Sequence, residues 1–348
     1  MVNKLIYLLF AICIITSCSN QSNFFTGEIL NTPLESESIL IKGEKIWESD
    51  NAYSTGLTSI YAIDTFLVIK YSHKPYVFSV FNTKTLAHFG NFCFIGNGPS
   101  EFSTAVQFNG QFLKNNEGEY ELYLYDINKR QSYWLNINKS VLEGRTISVI
   151  SEDFKKNCFE PFFLNKDSVI IAQEYQFKNN SFNLTIAHKD KVLKRIKLNR
   201  YEFNEPFGPL SSISALNSKQ NKYAMGMLMM NQINIIDLNT GGIKIIVPDG
   251  KLTEWDQLIK TEPMDLRLFF NDLKWDDENI YALYSSIELS KLKMGNRDVF
   301  IKVYDWDGNM NKQFRISEPL QSFAISKKEN CVYGITVDEC LMKYKDLL

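Results

Sequence analysis

The run Gly96-Asn97-Gly98-Pro99-Ser100-Glu101-Phe102 sets two glycines and a proline beside a carboxylate, between aromatic, strand-like segments. Such a run has three uses: a phosphate cradle, a catalytic loop, or the elbow of a repeating fold. A phosphate loop needs a following helix that carries Lys-Ser/Thr, or a strand–helix–strand setting. Ser103 to Phe108 follows instead, with no helical spacing. The run therefore reads as an elbow. Its glycines would permit a tight turn with positive φ, Pro99 would fix φ near about −65°, and Phe102 would plug the space beyond.

Other chemistry-bearing residues are few. His73, His88 and His188 fall in turns and polar hairpin segments, without a nucleophile or carboxylate set beside them by spacing. No Gly-x-Ser-x-Gly elbow, His-Glu-x-x-His pair or Walker pattern occurs, so no catalytic residue is assigned. Asp276-Asp277-Glu278, beside Asn279, is either a solvated turn or a calcium site. Met225 to Met230 holds four methionines, which at strand spacing read as core packing rather than a soft-metal site. Trp255 and Phe207 are aromatic candidates for a sugar or peptide ligand, Trp255 by its place in an insertion.

The elements that must hold these residues are strands. Phe and Tyr number 25 and 17 in 348 residues, a bias toward the flat, half-buried surface of a sheet. A hairpin recurs at Tyr76–Gly90, Leu122–Ile137, Asn183–Leu198, Ile233–Val247 and Phe300–Ile316, and begins again at Cys340. Asn, Asp, Lys and Gly fill its turns. Another apolar pair of strands precedes the copies, so the unit is four strands. Six such units, none able to bury both faces alone, predict an all-β, six-bladed β-propeller. The last unit is one strand short. Ser38 to Ser49 is a spare strand that would complete it and close the ring, removing an exposed edge. The elbow lies between the first and second units. The alternative is a pair of β-sandwiches. One helix is expected, over Lys251–Lys260, with Thr253 and Asp256 as cap residues.

The N-terminus reads as an address. Lys4 precedes an unbroken apolar run from Leu5 to Ile15, then Thr16-Ser17-Cys18. That run is too short to span a bilayer, which needs about 20 residues, and has the form of a secretory signal. Residues 1–17 are expected to be cleaved, 18–27 to form a linker, and 28–348 to form the propeller. The formal net charge of −2 becomes −3 once Lys4 is removed, which gives no basic patch for nucleic acid. Cys93, Cys158, Cys331 and Cys340 would remain, without zinc-ligand spacing. Cys331 and Cys340 would either face each other across a hairpin as a disulfide or be buried thiols.

A cysteine at the cut point resembles a bacterial lipobox, with Cys18 as the acylated residue. Acyl chains would anchor the protein at about 0.8 kcal/mol per buried CH₂. The lipobox, the six-unit period and the elbow residues Gly96, Gly98, Pro99, Glu101 and Phe102 together resemble the TolB-like six-bladed propeller lipoproteins of Bacteroidetes, related to NHL-repeat propellers. The elbow motif occurs in full once; Asn204 to Ser212 is a degraded echo. The resemblance implies an outer-membrane lipoprotein facing the periplasm, since no acidic run follows Cys18. It implies a binding or scaffold module for a protein, peptide or glycan, with Glu101, Trp255 and Asp272 as ligand candidates and no cofactor. The alternative is a hydrolase or lyase in the central channel, assisted by calcium held by loop acids such as Glu101 and Asp272.

Overall fold

The computed structural model describes residues 23–32, 37–48, 56–98, 100–151, 159–164, 169–176, 180–189, 191–200, 208–292 and 298–345. Cys18, Pro99, Cys158, Phe207 and the signal segment lie outside the described residues. Three short strands come first: β1 (Glu28–Asn31), β2 (Ile39–Ile41) and β3 (Glu44–Glu48). Six sheets follow, the last of them completed by β3, and they form a six-bladed β-propeller.

Blade one is β4 (Leu57–Ile63), β5 (Phe66–Tyr71), β6 (Tyr76–Asn82) and β7 (His88–Phe94). In blade two, β8 (Val106–Gln107) and β9 (Phe112–Lys114) share one edge of β10 (Tyr120–Asp126). There β11 (Gln131–Asn136) leads into helix α1 (Ile137–Glu143) before the outer strand β12 (Ser148–Ser151). Blade three is β13 (Phe159–Phe163), β14 (Val169–Gln176), β15 (Ser181–His188) and β16 (Lys191–Lys197). Blade four is β17 (Ser212–Asn217), β18 (Lys222–Met227), β19 (Ile233–Asp237) and β20 (Ile243–Val247). Helix α2 (Trp255–Leu258) precedes blade five, which is β21 (Arg267–Trp275), β22 (Asn279–Glu288), β23 (Val299–Asp305) and β24 (Met310–Ile316). Blade six is β25 (Leu320–Ser326), β26 (Cys331–Thr336) and β27 (Cys340–Lys345), completed by β3.

Strands in the middle of a blade lie between two neighbouring blades, so both faces are covered. Leu67-Val68-Ile69 in β5 and Ile233 to Ile236 in β19 are accordingly buried without alternation. The outer strand β16 alternates instead, because one of its faces meets water. Six apolar cores fill the six gaps between blades. The hairpin turns use left-handed residues: Asp64, Asn221 and Asn330 have φ of 51°, 52° and 49°, a region where short polar side chains are tolerated.

Closure of the ring departs from the expected single strand. Glu44–Glu48 pairs antiparallel with β27, but Ile39–Ile41 crosses to blade five and runs parallel to β24. Upstream, Glu28–Asn31 runs parallel to β20 of blade four. β1, β2 and β3 together form a strap along the outer edges of three blades. It turns at Gly43, where a Cβ would stand 2.7 Å from the Tyr344 ring. Within the span 18–27 expected as a linker, the described residues begin at Asn23. Phe24 and Phe25 are buried in the core between blades three and four, and Phe25 bridges to Asn199.

Three local expectations change. The helix expected over Lys251–Lys260 is the four-residue α2, and the Thr253 hydroxyl accepts the Asn231 N–H at 2.9 Å instead of capping it. The Leu122–Ile137 hairpin is the middle pair of blade two, because α1 intervenes before the outer strand. Asn136 caps α1 by accepting the Lys139 N–H, and left-handed Gly144 ends it. Cys331 pairs with Lys345, so Cys340 lies five positions along the same strand, about 17 Å away at the rise of a strand. The two cysteines pack in different inter-blade cores and both are free thiols.

Candidate functional site

The innermost strands β4, β8–β9, β13, β17, β21 and β25 surround the axis, and their polar side chains tie neighbouring blades together. Gln111 of blade two donates to the Phe163 carbonyl at 2.6 Å and accepts the Phe163 N–H at 2.8 Å in blade three. Gln173 of blade three donates to Ser212 and Ser214 of blade four at 2.8 and 2.9 Å. Asp272 of blade five accepts the Ser322 hydroxyl at 2.6 Å and the Phe323 N–H at 3.1 Å in blade six. The Ser322 oxygen in turn accepts the Ile60 N–H of blade one at 3.2 Å. These bonds replace the main-chain pairing that separate sheets cannot make.

Aromatic rings plug the axis. Trp275 of blade five meets Phe162 of blade three at 5.6 Å, and Tyr61 meets Phe108 at 4.5 Å. Gly110, at φ 87°, lies flat on Tyr61, where a Cβ would come within 2.6 Å of the ring. Above the plug, at the end where the innermost strands finish, is a bowl of about 320 Å³. Tyr61, Gln111, Phe112, Lys274, Trp275 and Asp277 line it. A second hollow of about 350 Å³ shares Ala62, Ile63, Trp275, Asp276 and Ile325 with it and adds Tyr120, Lys327 and Lys328.

Lys274 forms part of the floor. Its ammonium donates to Asp272 at 3.0 Å and sits 4.0 Å from the centre of the Tyr61 ring. Burial pulls its pKa down, and the Asp272 charge acts against that. The rim carries paired charges: Lys219–Asp277 at 2.5 Å, Lys328–Asp64 at 2.7 Å and Lys327–Asp276 at 2.9 Å. Asp276 is the most occupied of these acids. It accepts the Glu278 and Asn279 N–H groups, the Tyr281 hydroxyl and Lys327. Burial works to raise its pKa, but these donors hold it below the ordinary value. Half-buried, bonded Asp276 thus braces its turn.

The structure separates the candidates named from sequence. Asp272 is buried at the axis, with its two oxygens filled by Leu273, Lys274, Ser322 and Phe323. A cation there would have to displace protein donors. Glu101 lies at the opposite end of the ring from the bowl, in the elbow, where it accepts the Gly98 N–H at 2.6 Å. The carboxylate occupies the space over both glycines: a Cβ on Gly96 would stand 2.0 Å from it, and one on Gly98 3.0 Å. Neither glycine has the expected positive φ; what marks them is the Glu101 carboxylate standing where a Cβ would go, most closely at Gly96. Phe102 is buried in the core between blades one and two, 4.8 Å from Tyr133. Trp255 is buried under Phe24 at 4.3 Å and offers no ring face to a ligand. The three histidines are exposed. Met225, Met227 and Met230 are core. Among the described residues no three of His, Cys, Asp and Glu come together as a metal site.

Tyr61, Lys274 and Trp275 of the bowl went unnamed at the sequence level. For Lys274 and Trp275 the available signal was a lysine within an otherwise strand-like run, "DLKWDDENIY"; Tyr61 carried none.

No family model matches the chain, and no curated protein matches it. Solved structures do. One is a Bacteroides fragilis protein whose name calls it exported, with a TM-score of 0.53 at 11% identity, covering 91% of this chain and 98% of that one. Another is a member of the DUF4221 family from Bacteroides vulgatus, with a TM-score of 0.57 at 11% identity, covering 89% of this chain and 99% of that one. At this identity the likeness is one of fold. Among the described residues no helix is long and apolar enough to cross a membrane.

Proposed function

We propose that this propeller is a lipid-anchored binding module of the bacterial envelope, akin to the TolB-like propeller lipoproteins, that holds a small polar ligand in the bowl. The carrying observation is the bowl itself: a hollow at the end of a plugged axis, with Trp275 and Phe112 as apolar walls and charged or amide groups around them. Flat rings beside hydrogen-bonding groups suit a glycan or a short peptide. The acid and amide groups deeper in the channel are engaged in joining blades, which favours binding over hydrolysis or lyase chemistry. The exported character named for the Bacteroides fragilis neighbour supports reading the N-terminal segment as a secretory signal; acylation at Cys18 rests on the lipobox alone. Anchorage in the outer membrane, facing the periplasm, is part of the proposal.

Calorimetry of the acylated protein in detergent, against panels of oligosaccharides and short peptides, tests the reading. A ligand whose affinity falls about tenfold or more in Trp275→Leu, with the melting temperature retained, supports it. Absence of any ligand at millimolar concentration in both panels overturns it. Metabolic labelling with a fatty acid tests the anchor, since Cys18→Ser should abolish incorporation.

A further inference from the structure

We infer that the ligand of the bowl carries a carboxylate and that Lys274, at the floor, recognises it. This rests on the reading of the bowl as a binding site and adds its chemical selectivity.

An ammonium has three N–H groups. In Lys274 one is directed to Asp272, and the Tyr61 ring covers a second side. The side chain is only 10% exposed, yet it lines the hollow, and the proposal gives the remaining N–H to the ligand. Asp272 is poorly placed to take a second of these N–H groups, because its oxygens also accept the Leu273 N–H, the Phe323 N–H and the Ser322 hydroxyl. An anionic oxygen of the ligand fits the N–H that remains, since charge-assisted bonds are about twice as strong as neutral ones.

The rim neither supplies nor forbids that anion. Lys219, Lys327 and Lys328 are matched by Asp277, Asp276 and Asp64. Asp276 has its oxygens filled by four donors, so its repulsion is muted. Selectivity therefore comes from the floor. Above it, Trp275 and Phe112 offer apolar surface to the flat body that bears the carboxylate. Two sources share this chemistry: a uronate sugar, and a peptide with a free C-terminus.

Matched pairs test the inference by calorimetry on the acylated protein: digalacturonate against its methyl ester, and a tetrapeptide acid against its amide. One pair should show at least about tenfold tighter binding of the acid, and which pair it is identifies the source. The preference should vanish in Lys274→Met, or in Asp272→Asn/Lys274→Met if the single variant fails to fold. Equal affinity of acid and neutral partner overturns the inference and leaves the bowl as a site, as does an acid preference that survives Lys274→Met. Silence of both pairs while a neutral oligosaccharide binds through Trp275 overturns it as well. Silence of every ligand overturns the bowl itself.

Discussion

The Asp272 carboxylate accepts the Ser322 hydroxyl at 2.6 Å across the gap between blades five and six, and Ser322 passes the connection to the Ile60 N–H of blade one. One buried acid thereby fixes the seam where the two ends of the ring meet. Asp272→Ala would leave the Phe323 N–H, the Ser322 hydroxyl and the Lys274 ammonium without their acceptor. Loss of one partner from a buried ion pair costs about 3–5 kcal/mol, so urea unfolding should show a loss of that order. Asp272→Asn, which keeps an acceptor oxygen, should lose less. A change below about 1 kcal/mol in Asp272→Ala would show that the seam is held by apolar packing alone.

The elbow predicts a compensating pair. Gly96→Ala places a methyl group 2.0 Å from the Glu101 carboxylate, which must swing out and release the Gly98 N–H. The expected cost is about 1–3 kcal/mol. In a Glu101→Ala background the methyl group meets nothing in that place, so Gly96→Ala should cost several-fold less. A double-mutant cycle measures this coupling directly. Additive losses would mean that the glycine is needed for a different reason.

What could be read in advance follows from how each part is buried. Middle strands such as Ile233 to Ile236 announce themselves because both faces are covered and the run is continuous. The missing strand of the last blade could be counted, since an open sheet edge must be closed. The strap could not be read: Ile39–Ile41 pairs in parallel at an outer edge, with Ile39 and Leu40 exposed, so no local pattern marks its partner. Helix α1 was legible in principle from Asn136 and Gly144, but its apolar residues continue the strand before it. The bowl was hidden for another reason. Tyr61 and Lys274 meet only because the ring closes, and nothing in either strand says which face turns to the axis.

Phe25 belongs to the packed body of the propeller. Read by spacing, residues 18–27 are linker, where an aromatic truncation would cost little. In the fold Phe25 is buried, 6.1 Å from Phe182, and its N–H is held by Asn23 at 3.0 Å. Phe25→Ala should therefore cost about 3–5 kcal/mol and lower the melting temperature by several degrees. The same change at a mere tether would leave thermal unfolding as it was, and that result would return residues 23–27 to the linker.

Lys302 gives a pH dependence of fixed sign. Its ammonium is buried between blades four and five, donates to the Pro248 carbonyl at 3.1 Å and lies 4.5 Å from the Tyr284 ring centre. Burial lowers its pKa from 10.5 to about 8, with nearby Asp249 acting in the opposite direction. Below pH 8 both folded and unfolded chains hold the proton, and the folded state bears the full cost of the buried charge. Between about 8 and 10.5 the unfolded chain holds more protons, so this group's contribution to stability rises with pH. Buried Cys93, Cys331 and Tyr284 act the other way at the alkaline end, since their pKa values are raised. Subtracting the profile of Lys302→Met isolates the lysine. The stability of the wild type relative to Lys302→Met should climb from pH 8 to pH 10.5, by up to about 1.4 kcal/mol per pH unit. A flat difference across that range would mean that Lys302 keeps its ordinary proton affinity in the fold.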